Sequence, residues 1–73
     1  MGVIRWMCNE GDTQVAFDET DTASMTRARE MVERAFQEGR GVFTLDDEGV
    51  GVRMRQFDPA AREIVVIPQI KGG

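Results

Sequence analysis

The stretch Pro68-Gln69-Ile70-Lys71-Gly72-Gly73 sets two glycines directly after an apolar run, and no other residues in the chain combine type and spacing so well suited to chemistry. Residues without Cβ allow close backbone approach and adopt whatever dihedrals a narrow channel imposes. Extended at about 3.3 Å per residue, this stretch reaches roughly 20 Å. A carboxylate on Gly73 can then enter a partner's cleft while the globule stays outside.

The rest of the chemical inventory is spare. With one cysteine, Cys8, and no histidine, the chain has neither an internal disulfide nor a zinc-ligand set. Cys8 has no histidine to act as its base and reads as a small apolar strand residue. Asp46-Asp47-Glu48 precedes Gly49 and reads as a solvated turn in preference to a cation site. Arg5, Arg53 and Arg55 fall at alternating strand positions that share a sheet's outer face, and a solvated surface is preferred there over a phosphate patch. No general acid and base are paired by spacing. The chain is therefore expected to act by binding and not as an enzyme, with no cofactor or metal of its own.

These residues are positioned by a short series of elements. Val3 to Cys8 alternates as a strand, with Ile4 and Trp6 on one face and Arg5 on the other. Asn9-Glu10-Gly11-Asp12 supplies a turn. Thr13 to Asp18 alternates again, with Val15 and Phe17 on one face, completing a hairpin. Asp21 or Thr22 then caps a helix to about Glu38, and Met25, Ala28, Met31, Val32, Ala35 and Phe36 form one apolar stripe. Arg29 with Glu33, Glu30 with Arg34, and Arg34 with Glu38 stand four apart on its charged side. Gly39 ends the helix in a left-handed conformation, and Gly41 prevents its resumption. Strands are expected at Val42 to Leu45, at Val50 to Phe57 and at Glu63 to Ile67, the last apolar on both faces as a central strand is. Asp58-Pro59 breaks the chain before the last strand, and Pro68 ends it.

Seventy-three residues allow one domain, and a domain this small buries only roughly 60% of the surface its unfolded chain exposes. Thirteen acidic against nine basic residues give a net charge of -4, which opposes nonspecific attraction to a phosphate backbone and argues against nucleic acid as a partner. The opening residues are too few and too soon charged for a signal-peptide core, and no apolar run has bilayer-spanning length. A cytosolic chain without a membrane partner is expected.

A hairpin followed by a helix of crossover length brings a later strand parallel to an earlier one. The expected fold is α+β: a mixed sheet of four or five strands with one helix packed across it, the β-grasp arrangement, over residues 1-70, with a tail at 71-73. "GDTQVAFDETDTASMTRAREM" and the closing "REIVVIPQIKGG" resemble the ubiquitin-like superfamily, whose hairpin, helix start and Gly-Gly tail come in the same order. The resemblance covers about the first forty residues and the last ten.

It implies that a partner adenylating enzyme uses ATP to activate the carboxylate of Gly73. The product is a thiocarboxylate in sulfur carriers or an isopeptide donor in modifiers. By the same resemblance Gly72 permits threading, while Ile70 and Lys71 contact the partner's channel. Lys71 is the only lysine among the nine basic residues, so the resemblance does not extend to chain-building on internal lysines. The other readings are a noncatalytic assembly or adaptor module, as in the β-grasp proteins of phage tails, and a virus-encoded inhibitor that blocks a basic surface of a host enzyme.

Overall fold

The computed structural model describes residues 1–8 and 11–68. Six elements follow one another: β1 (Gly2–Cys8), β2 (Gly11–Phe17), α1 (Thr22–Gln37), β3 (Val42–Leu45), β4 (Gly51–Arg53) and β5 (Glu63–Val66). The strands form one five-stranded sheet in the order β2-β1-β5-β3-β4. β1 and β5 run parallel at its centre, and the other neighbours are antiparallel. With α1 across one face, this is the expected α+β, β-grasp-like fold.

Register decides which residues meet the helix, because residues facing each other across strands share a face. Ile4 lies between Val15 and Ile64, and Val66 lies between Trp6 and Val42. Ile4, Ile64, Val66 and Val42 are fully or almost fully buried, together with Ala28, Val32 and Ala35 of α1. Phe17 and Met54 complete the buried core. Trp6, Met25, Met31 and Phe36 pack against it while partly exposed, so the helix stripe is as expected but Phe36 sits at its margin.

Both helix ends are made by identifiable bonds. Asp21 is the N-cap, its carboxylate accepting from the amides of Ala23 and Ser24 at 3.1 and 3.3 Å. The Ser24 hydroxyl accepts from the Asp18 amide at 3.0 Å, which fastens the helix start to the end of β2. At the other end the Arg40 amide donates to Ala35 O and the Gly39 amide to Phe36 O, with Gly39 at φ 73°. This is the Schellman pattern, whose left-handed position favours glycine.

Two expectations are corrected. Gly11 and Asp12 belong to β2, paired with Cys8 and Met7, and not to the expected turn. The expected strand from Val50 to Phe57 is only Gly51–Arg53, because the chain departs after Met54 to set the Phe57 ring against Phe17, centroids 5.8 Å apart. At Gly41 a Cβ would stand 2.8 Å from the Ile67 side chain and 3.0 Å from Phe43. Among the described residues no helix is long and apolar enough to cross a membrane.

Candidate functional site

Ile70, Lys71, Gly72 and Gly73, the residues on which the carrier chemistry is expected, lie outside the described residues. What the structure fixes is the point from which they depart. β5 ends at Val66, beside Trp6 of β1 and Val42 of β3, and the Ile67 amide donates to Gly41 O at 2.9 Å. Pro68, which has no amide proton to offer a ladder, follows half-buried. Pro68 therefore stands just past the end of a central strand and not of an edge strand.

That end of the sheet carries a charged and aromatic cluster. The Arg40 guanidinium carbon lies 4.8 Å from the centroid of the Trp6 ring, a cation–π distance. Arg40 Nε also donates to Glu38 Oε1 at 2.6 Å, and Arg34 Nε reaches Glu38 Oε2 at 3.3 Å. The Arg40 bond is the main reason the Glu38 carboxyl titrates below the usual carboxylate range, with the charges of Arg40 and Arg34 adding to the effect against a burial penalty. Among the described residues only Arg34 with Glu38 forms, of the three helix pairs four residues apart. Beside the cluster a shallow cleft of about 210 Å³ is lined by Trp6, Thr13, Met31 and Arg34.

The face turned away from α1 carries a second arrangement. Gln14, Arg5, Val65, Phe43 and Arg53 stand in register as one row across all five strands. Val3 and Leu45 lie on the same face, and all four apolar residues are half-buried with no helix above them. Arg5 pairs with Glu63 at 3.3 Å. Arg5 and Arg53 do share the face, as expected, but three strand spacings separate them, roughly 14 Å. They flank an apolar strip and do not form one basic patch.

The remaining candidates are structural. Asp46 Oδ1 accepts from the amides of Glu48 and Val50 at 2.9 and 2.8 Å, and Asp47 pairs with Arg62 at 3.3 Å. That acidic cluster is a turn stabilised by its own first residue. Asp18 binds the amide and hydroxyl of Thr20 in the same manner, and the amide bond is the chief cause that lowers its titration.

Sequence reasoning missed the Arg40–Trp6 stack and the apolar strip. The strip did leave a signal, in the unbroken run Ile64-Val65-Val66-Ile67 and the apolar Phe43 and Leu45 at alternate positions. The stack left none, since it joins a post-helix residue to the first strand through the tertiary fold. No protein-family model, curated protein or solved structure matches this chain. The fold assignment rests on strand order and pairing in the molecule itself.

Proposed function

We propose that the chain is a small ubiquitin-like carrier or modifier, acting through a carboxylate on Gly73 that a partner adenylating enzyme activates with ATP. The observation that supports this reading is the departure of the chain from the central strand β5, immediately beyond the Ile67 amide bond to Gly41. A segment leaving there starts between the Arg40–Trp6 cluster and the apolar strip. A partner can thus hold the globule by these surfaces while it draws Gly72 and Gly73 into its channel. In this reading Gly72 threads, Gly73 carries the activated carboxylate, and Ile70 and Lys71 contact the channel walls. The chain itself performs no catalysis and supplies no cofactor.

A second reading, a noncatalytic interaction or assembly module, is favoured by the strip of Val3, Val65, Phe43 and Leu45, which offers an apolar docking face without any use of the tail. Deletion of Gly72 and Gly73 separates the two. These residues lie beyond the strand-ending Pro68, so the unfolding midpoint should stay almost unchanged. With an adenylating enzyme and ATP, the full chain should form the acyl-adenylate or thiocarboxylate by intact mass, and the deletion should form none. If the truncated protein still binds its partner and supports its biological role, the carrier reading is wrong and the module reading replaces it.

A further inference from the structure

We propose that the free edge of β4 is a docking site for an extended acidic peptide, which pairs with Gly51–Arg53 as a sixth strand and sets carboxylates against Arg53 and Arg55.

The backbone geometry comes first. Asp46 and Val50 share a ladder bond, as do Val42 and Met54. Bonded and non-bonded pairs alternate in an antiparallel ladder, so Thr44 and Val52 form the bonded pair between them. The amides and carbonyls of Gly51 and Arg53 consequently face away from β3, and among the described residues nothing pairs with them. β4 is last in the strand order. Its outer edge is open to strand addition, a mode in which main-chain bonds supply affinity and alternate side chains supply selectivity.

The side chains indicate what kind of strand fits. Val50 and Val52 are 54% and 56% exposed, and Val52 shares with Thr44 the face that α1 covers only toward the sheet's centre. On the other face Arg53 stands beside Phe43. Arg53 and Arg55 have no ion-pair partner among the described residues, although the chain carries a net charge of -4. Two open clefts, of about 310 and 360 Å³, share Arg53, Met54 and Arg55 in their walls. Asp58 is the one acidic residue lining the second cleft, and its Oδ1 already accepts from the Ala60 amide.

Two positions along a strand span roughly 6.6 to 6.8 Å and return to the same face. An added strand alternating carboxylate and β-branched residues therefore meets Arg53 on one face and Val52 on the other, with Arg55 just beyond the end of β4 in the walls of both clefts. Arginine's planar fork suits carboxylates in two-point bonding. This edge and its partner are independent of the Gly-Gly tail, so the inference stands or falls apart from the carrier reading.

The test uses the full chain, isotope-labelled, with a blocked hexapeptide alternating glutamate and valine as the probe. Saturable shifts confined to β4 and its clefts are expected, with slowed exchange of the Gly51 and Arg53 amides and binding that weakens as salt rises. Charge reversal by Arg53→Glu with Arg55→Glu should weaken binding by on the order of tenfold or more, as expected for lost charge-assisted bonds. Arg53→Gln with Arg55→Gln serves as the milder variant, checked by an unchanged spectrum elsewhere. Equal binding of a lysine-valine peptide would overturn the proposal. So would the same slowed exchange with inorganic phosphate alone, which marks a simple anion site. Shifts of β4 with protein concentration alone would assign the edge to a second copy of the chain and equally overturn it.

Discussion

Arg40 holds its guanidinium over the Trp6 ring while its Nε hydrogen-bonds Glu38, so one side chain ties the end of α1 to β1. The consequence is electrostatic. Glu38 has a folded-state carboxyl titration below the ordinary range, with the Arg40 hydrogen bond as the largest cause. A depressed carboxyl contributes stability that is present above its unfolded-state pKa and is lost as pH falls through the folded-state value. Replacing Arg40 by glutamine should raise the Glu38 titration toward the ordinary carboxylate range, read from its side-chain carboxyl carbon by NMR. The same variant should change Trp6 fluorescence and reduce the acid sensitivity of folding. The pair is solvent-accessible, so the stability change should be small. A wild-type Glu38 that titrates within the ordinary carboxylate range would overturn this reading.

At the scale of elements, each end of α1 depends on one residue with a defined conformational task. Asp21 satisfies two orphan amides, and Asp21→Ala should lower stability by about 0.5 to 2 kcal/mol in chemical denaturation. Gly39 holds φ 73° in the Schellman cap, and a Cβ in the left-handed region costs roughly 1 to 2 kcal/mol. Gly39→Ala should therefore destabilise, and a stabilised variant would show that the helix ends elsewhere. β4 has the opposite character. It is only Gly51–Arg53, flanked by exposed Val50 and by arginines, and short charged edges are a usual means of limiting uncontrolled strand pairing. That combination permits selective pairing with an acidic strand while disfavouring association with neutral or basic ones.

For the molecule as a whole, stability is concentrated where β1, β5 and β3 lie side by side. Ile64 is fully buried between Ile4 and Thr44, beneath α1. Ile64→Ala should cost about 2 to 5 kcal/mol, a large share of the 5 to 15 kcal/mol typical of small domains. Phe36, partly exposed at the margin of the stripe, should cost less than the roughly 3 to 5 kcal/mol of a fully buried phenylalanine. Urea denaturation of the two variants ranks them directly. If Phe36→Ala proves the more damaging, the core does not centre on β5 as described.

The helix limits, a cap at Asp21 or Thr22, its glycine stop and the strand faces of β1 and β2 were legible in the sequence, because each follows from local periodicity or from the conformational preference of a single residue. The parallel placement of β5 beside β1 was also readable, since a hairpin and a crossover helix leave few ways to close one sheet. The tertiary structure alone decided which residues stand beside one another across the sheet. It put Arg40 over Trp6, aligned Phe43 with Val65 and Arg53, and turned Arg5 toward Glu63 in place of a shared basic patch. It also ended β4 at Arg53, where Phe57 gains more by packing on Phe17 than by prolonging an edge strand. Local pattern fixes the face a residue occupies, whereas its neighbours on that face are set by strand order and register, which depend on contacts between residues distant in the chain.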